Sequence, residues 1–351
     1  MTIDDLGGWP GVLARLERGE SLSSDDAAAV LGDVLEGNAT SAQIAGFALG
    51  LRNKGETVEE MSGMVRAMLD HAEPVHAGEN LVDTCGTGGD GSHTINVSTI
   101  AALVVAGAGA KVCKHGNRGA SNSGGSADVL EALGVVVDLG PDGVARCVAE
   151  AGMGFCLAPR FHAAFRHAVP ARRELAMPTV FNFLLPLTNP ARPTRQVVGV
   201  SDPAMAEKML SVMADNGVMR AMVVYGHDGM DELTTTTTST VTEWQGGAFA
   251  HTRTYVVDPA ELGLASAGLE QLRGADAQGN ADMARRVLEG ERGPHRDLVL
   301  LNAAAGLVVA GYTRDLKEGL ARAADAIDSG SARRLMRKLV SVSQAAAEAG
   351  G

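Results

Sequence analysis

Apolar positions recur at helical spacing in four early segments, residues 9–16, 27–35, 44–51 and 58–69. Start signals precede three of them. Ser24-Asp25 opens the second and Thr40 the third, and Thr57 with Glu60 three residues later forms a capping box before the fourth. Gly7-Gly8, Gly37-Asn38 and Asn53-Lys54-Gly55 break the pattern between helices. Residues 1–75 therefore read as all helix.

From residue 80 the pattern changes. Short apolar strands at 81–83, 111–114, 135–138 and 154–157 alternate with helices at 97–108, 126–133 and 141–151. This βαβ rhythm predicts an α/β fold with a parallel or mixed sheet covered by helices. A helical stretch follows at about 160–186, then a helix at 204–214, a strand at 219–225 and further helices from about 276. The threonine run 234–238 reads as an exposed, β-prone segment, because β-branched residues favour strands.

Composition sharpens this picture. Of 351 residues, 45% are hydrophobic, too many for a disordered chain. The net charge of -12 argues against a general nucleic-acid binder, which needs a basic surface. The long uncharged stretches 91–110 and 298–313 are broken by His93, Asn96 and Asn302, so they read as buried helices rather than membrane spans. No secretory signal is visible, and Cys85, Cys113, Cys147 and Cys156 lack CxxC spacing. Reduced thiols and a cytoplasmic location are expected. Glycine is abundant at 44 residues, and ten of these fall within 86–125, where local backbone needs must explain them.

The first candidate loop is Asp83-Thr84-Cys85-Gly86-Thr87-Gly88-Gly89-Asp90-Gly91, which leads through Thr94, Asn96, Ser98 and Thr99 into a helix. Glycines at a strand-to-helix turn let backbone amides approach an anion, and the helix N-terminus adds its positive end. The loop is neither a Walker loop nor a GxGxxG fingerprint. A bare tight turn is the competing reading, against which the hydroxyls and amide at 94–99 weigh as ligands for phosphate or its metal.

The second loop spans 111–126 around Lys114-His115-Gly116-Asn117-Arg118, with Gly119, Gly124 and Gly125 beyond. Residues 91–127 contain Lys111, Lys114 and Arg118 and no carboxylate, which predicts a local electropositive pocket. After the strand at 219–225 comes Asp228-Gly229-Met230-Asp231-Glu232. Adjacent carboxylates there suit Mg²⁺ that also holds substrate phosphates; a solvated acidic turn is the alternative. Segment 155–196 holds six Arg, one acid (Glu174) and five of the twelve aromatic residues. Arginine beside rings suits an aromatic carboxylate, although core Phe and surface Arg would give the same composition.

Together and in this order, these motifs resemble the anthranilate phosphoribosyltransferases. The matching stretches are 83–90, Asn96-Val97-Ser98-Thr99, 114–118, 125–134, Arg172-Arg173-Glu174-Leu175, Pro186-Leu187-Thr188-Asn189-Pro190 and 228–233. The resemblance implies a small α-helical domain (1–75 with about 170–200) and a larger α/β domain (76–169 and 201–351) with a central mixed, mostly parallel sheet. It also implies a homodimer formed through the helical domain. The substrates would be phosphoribosyl pyrophosphate (PRPP) and anthranilate, with neither nucleic acid nor membrane as partner. PRPP would lie on Gly86, Gly89, Asp90, Thr94, Asn96, Val97, Ser98, Thr99, Lys114, His115, Gly116, Asn117, Arg118, Gly119, Ala120, Ser121, Asn122 and Ser126. Lys114 and Arg118 would stabilise the leaving pyrophosphate, with no dedicated base. Ser98, Asp231 and Glu232 would hold Mg²⁺, two ions per subunit. Anthranilate would meet Gly86, His115, Asn117 and Arg172, with Pro159, His162 and Phe165 along its path.

The chain departs from the family pattern at four places. Leu185 stands where the family usually has Gly, and Ala176 replaces Gly after Arg-Arg-Glu-Leu. Ala163 replaces a common Pro, and Asn122 sits where a second Ser is frequent. The alternatives are transfer to another aminobenzoate, a pyrimidine nucleoside phosphorylase of the same fold, and a non-enzymatic nucleic-acid-binding relative. The Asp231-Glu232 pair and Arg172 weigh against the phosphorylase, and the net charge of -12 against the nucleic-acid binder.

Overall fold

The computed structural model describes residues 2–119 and 124–350. The N-terminal part is helical: α1 (Gly8–Glu17), α2 (Ser24–Leu35), α3 (Ser41–Lys54) and α4 (Val58–Asp70). The start signals work as side-chain caps. Ser23, Thr40 and Thr57 accept hydrogen bonds from the backbone amides of Asp26, Gln43 and Glu60 at 3.1, 3.3 and 3.2 Å. Each satisfies an amide that has no partner within its helix. The second helix is thus capped one residue before the expected Ser24. Buried Lys54 and Glu60 pair at 2.9 Å, and Glu60 also accepts from the Leu22 amide at 2.9 Å.

The rest follows as β1 (Val82–Gly86), α5 (Val97–Gly107), β2 (Val112–Gly116), α6 (Ser126–Ala132), α7 (Pro141–Ala151), β3 (Met153–Leu157), α8 (Ala158–Phe161), α9 (Val169–Leu175) and α10 (Val180–Leu184). Then come β4 (Arg195–Gly199), α11 (Ala206–Asp215), β5 (Arg220–Gly226), β6 (Ser239–Gln245) and β7 (His251–Val257). Helices α12 (Leu269–Leu272), α13 (Ala277–Leu288), α14 (Pro294–Val309), α15 (Leu316–Asp328) and α16 (Ser331–Glu348) complete the chain. The sheet order is β3-β2-β1-β4-β5-β6-β7. The first five strands run parallel, and β6 and β7 add antiparallel at one edge.

Both faces of the central strands are covered. Val197, Met222 and Val224 face a core built with α5, α14 and α16. Val198, Ala221 and Val223 face the other way, into a core shared with α1–α4, α10 and α11. This period-two alternation divides the hydrophobic interior into two layers. Helices α9 and α10 pack on α3, and α10 also packs on α4. Among the described residues no helix is long and apolar enough to cross a membrane.

The structure differs from three expectations. Residues 135–138 form no strand. They carry buried Val135 and Val137 between α6 and α7, and the Val136 amide donates to Ser343 Oγ at 3.0 Å. Strands β2 and β3 are direct neighbours, so the crossover leaves no room for a strand between them. The threonine run is exposed only in part, with Thr237 at the surface. Thr234 and Thr235 are fully buried, and β6 starts only at Ser239. Finally, the stretch of about 170–200 assigned to the helical domain includes β4, which occupies the sheet centre.

Helix α9 ends at Ala176, whose φ of +49° and ψ of 32° lie in the left-handed region. A Cβ there costs on the order of 1 kcal/mol that glycine avoids. The expected outcome for Ala176→Gly is stabilisation by about 0.5–1 kcal/mol, read as a rise in the thermal midpoint.

Candidate active site

The chain leaves β1 through α5 to reach β2 on one side, while β4 lies on the other. Crevices at such a reversal, beside the carboxyl ends of the strands, bind ligands in α/β sheets. Here the crevice is a cavity of about 660 Å³. It is lined by residues 85–99, 114–118 and 124–126 with Ala158, Arg172, Asn182, Leu185, Pro186, Asp231 and Glu232.

The glycine loop meets its backbone requirement. Gly88, Gly89 and Gly91 have φ of +68°, +79° and +69°, a region where a Cβ is strained. A Cβ on Gly86 would collide with the Asp231 carboxylate. The loop leads to the N-terminus of α5, where the Ser98 amide donates to Glu232 Oε1 at 3.2 Å. The buried Thr99 hydroxyl has no partner among the described residues.

Lys114 is only 2% exposed. Its ammonium donates to the Thr84 carbonyl and to Ser98 Oγ at 3.2 Å. Fully buried Asp83 lies behind it. Burial raises the Asp83 pKa, and the Lys114 charge opposes that rise. Asp83 accepts from the His115 amide at 3.2 Å and from Asn189 Nδ2 at 2.8 Å. Asn189 Nδ2 also donates to the Cys113 carbonyl at 2.8 Å. The Pro-Leu-Thr-Asn-Pro segment is thereby fastened beneath β1 and β2.

Opposite Lys114 stand the carboxylates. Burial, with Asp90 nearby, pushes Asp231 up to about 6. Burial and the Asp231 charge raise Glu232 well above its ordinary value. The Gly88 amide donates to Asp231 Oδ2 at 2.7 Å. Crowded carboxylates at the edge of a cavity suit a divalent cation. Among the described residues no three His, Cys, Asp or Glu side chains converge as a metal cage. Such an ion would therefore complete its shell with ligand oxygens and water, as Mg²⁺ does on phosphates.

The far end is aromatic. The Arg172 guanidinium lies 5.4 Å from the Phe165 ring centroid and 6.0 Å from that of Phe181. Burial lowers its pKa, and it has no carboxylate partner among the described residues. The buried His115 and His162 rings are 5.2 Å apart. Both pKa values are lowered, chiefly by burial. His162 Nε2 is 2.7 Å from the Thr188 carbonyl, which makes it the protonated nitrogen of a neutral ring.

The two parts of the chain match separate family models. Residues 10–72 match the glycosyl transferase family helical bundle domain, and residues 78–333 match the a/b domain of that family. The chain is also 53% identical over 346 residues to the anthranilate phosphoribosyltransferase of Salinispora arenicola (strain CNS-205), covering 96% of this chain and 97% of that protein. The chain belongs to the anthranilate phosphoribosyltransferase family. A crystal structure of the Thermus thermophilus member is similar at a TM-score of 0.89 and 40% identity, covering 95% of this chain and 99% of that one. The Saccharomyces cerevisiae member in complex with PRPP and Mg has a TM-score of 0.87 at 27% identity, covering 96% and 98%.

Most residues that the family resemblance singled out line one cavity: Gly86, Gly89, Asp90, Thr94, Asn96–Thr99, Lys114–Arg118, Ser126, Arg172, Asp231 and Glu232. Several do not. Gly119 lies off it, with its amide donating to Asp128 at 2.8 Å. Pro159 is exposed outside it. His162 stands behind His115, and Phe165 behind Arg172. Ala120, Ser121 and Asn122 fall outside the described residues.

Two cations of the expected electropositive pocket are engaged elsewhere. Lys111 donates to the Val148 and Ala149 carbonyls at 2.9 and 3.2 Å, away from the cavity. Arg118 donates to Glu131 at 2.5 and 2.7 Å and to Asp128 at 3.3 Å. Asn182 and Ala158 line the cavity unanticipated. Neither carries a local sequence signal, because each reaches the site only through the packing of its helix.

Proposed function

We infer that this chain transfers the 5-phosphoribosyl group of PRPP to the amine of anthranilate and releases pyrophosphate, a step of tryptophan biosynthesis. One observation carries the reading. A single cavity joins a glycine-rich, lysine-bearing phosphate cradle to a ring-stacked guanidinium without a carboxylate partner among the described residues. The first suits a polyphosphate and the second an aromatic carboxylate.

The chemistry follows from charge. The amine lone pair attacks C1 of the ribose, the N–C1 bond forms, and the C1–O bond to pyrophosphate breaks. The nitrogen then loses a proton. An aromatic amine is a weak nucleophile, so bond breaking runs ahead and negative charge grows on the leaving group. Lys114 and the loop amides stabilise that charge. Arg118 can join them only by leaving Glu131 and Asp128. The two substrates are held adjacent, which supplies much of the remaining rate. Asp231, Glu232 and Ser98 would hold Mg²⁺, two ions per subunit, which when bound neutralises charge on the diphosphate.

The chain is proposed to act as a cytoplasmic homodimer joined through the helical domain. That domain comprises residues 1–75 with α9 and α10, and the sheet and its helices form the second. The test is loss of anthranilate fluorescence with PRPP and Mg²⁺.

Arg172→Ala should raise the anthranilate KM about 10–100-fold while the PRPP KM and kcat change little, because the carboxylate is held alike in ground and transition states. A larger effect on the PRPP KM would move Arg172 to the other substrate. A second reading, transfer to another aminobenzoate, is favoured by Leu185. Leu185 is part of the cavity wall, with an ordinary helical φ of −55°. Initial rates with ring-substituted aminobenzoates at fixed PRPP separate the two readings.

A further inference from the structure

Two features of the sequence lie outside the site described above: the threonine run and Asn302, a polar break in an uncharged stretch. Both converge on the loop that carries Asp231 and Glu232. Asn302 sits in α14, 3% exposed among apolar neighbours. Its Oδ1 accepts from the Leu233 amide at 3.0 Å, and its Nδ2 donates to the Leu233 carbonyl at 2.8 Å. One side chain thus takes both backbone polar groups of the residue after Glu232. Nδ2 also donates to the Leu298 carbonyl at 3.0 Å, which fixes the amide's orientation.

The other end of the loop is fastened by Asp228. Its Oδ1 accepts from the Met230 amide at 3.2 Å. Its Oδ2 accepts from Thr234 Oγ1 at 2.7 Å and from Thr236 Oγ1. The Gly226 amide donates to the Met230 carbonyl at 2.9 Å. A Cβ on Gly199 would strike the Asp231 carbonyl, so the loop backbone rests directly on β4. Asp228, Thr234, Thr236 and Asn302 do not line the cavity.

Two neighbouring carboxylates repel each other while no cation lies between them. A freely hinged loop would relax by spreading them apart. We propose that the Asn302 clamp and the latch of Asp228 with Thr234 and Thr236 are positioning devices that hold Asp231 and Glu232 ready for a divalent cation. The proposal rests on the reading that this pair binds Mg²⁺ with PRPP. Outer partners of metal ligands typically carry a tenfold to hundredfold share of metal affinity.

The test is Mn²⁺ binding to the full-length protein with PRPP, followed by loss of the free-ion paramagnetic resonance signal. Asn302→Leu and Thr234→Val delete the polar groups at nearly constant volume. Each is expected to raise the Mn²⁺ Kd by about 10–100-fold. The Mg²⁺ concentration for half-maximal rate should rise by the same factor, and kcat should recover at saturating Mg²⁺. Thr234→Ser, which keeps the hydroxyl, should restore wild-type binding. A folded Thr234→Val or Asn302→Leu with wild-type Mn²⁺ affinity overturns the proposal. If both buried variants fail to fold, half-exposed Thr236→Val decides: weakened binding supports the latch and unchanged binding overturns it. Failure of the wild-type protein itself to bind Mn²⁺ contradicts the underlying metal reading instead.

Discussion

Replacing Asp231 by Asn and Glu232 by Gln together is expected to lower kcat by about a thousandfold, ~4 kcal/mol of transition-state stabilisation. The same change is expected to raise the thermal midpoint. Both acids lie where burial raises their pKa, and each feels the charge of a neighbouring acid. Neutral isosteres remove the desolvation cost and the mutual repulsion while keeping the shape. A group that destabilises the fold yet lines a cavity is explained by what it binds. Measuring kcat beside the thermal midpoint checks both halves. A fall in both quantities would indicate a structural role for the pair.

Lys114→Met carries the second large effect. The ammonium is buried between the Thr84 carbonyl and Ser98 Oγ, with Asp83 behind it. Its loss should lower kcat by about 10²–10³ because the leaving pyrophosphate loses a preorganised charge. It should also destabilise the fold, since buried Asp83 then lacks the Lys114 charge that opposes the rise of its pKa. The two consequences separate in a double variant. Adding Asp83→Asn should restore most of the stability and none of the activity. Recovery of both would make Lys114 a structural counter-ion only.

The N-terminal helices were legible because their signals are local: a capping hydroxyl, a Glu or Gln three residues on, and an apolar stripe. The strands β1, β2, β3 and β5 were legible from short apolar runs set between helices. Strands β4, β6 and β7 were not. Strand β4 opens with Arg195-Gln196 behind a proline-rich segment. Strand β6 carries Thr, Glu and Gln among its seven residues although it is mostly buried, and the edge strand β7, rich in Thr, Arg and His, is mostly exposed. Apolar 135–138 misled because its valines are buried by helices rather than by strand neighbours.

The site shows the same limit. The residues of the glycine loop and Lys114 line one cavity. A count of charges along residues 91–127 stopped just short of Asp128 and Glu131 and could not see the backbone carbonyls that the fold brings to Lys111. Arg118 is taken by Asp128 and Glu131, and Lys111 by the carbonyl end of α7. Asp231 and Glu232 reach the glycine loop and the start of α5 only through the sheet topology. Asn302, far along the chain, showed as a polar break in a helix, but not which loop it holds.

Transfer at C1 requires the diphosphate of PRPP and the carboxylate of anthranilate to lie together in one cavity. The most direct test is the initial rate of anthranilate fluorescence loss in complete reaction mixtures and in mixtures lacking PRPP or Mg²⁺, with pyrophosphate measured in parallel. Loss is expected only in the complete mixture, with one pyrophosphate released per anthranilate consumed. No turnover above blank, or phosphate-dependent cleavage of thymidine or uridine in its place, would contradict it.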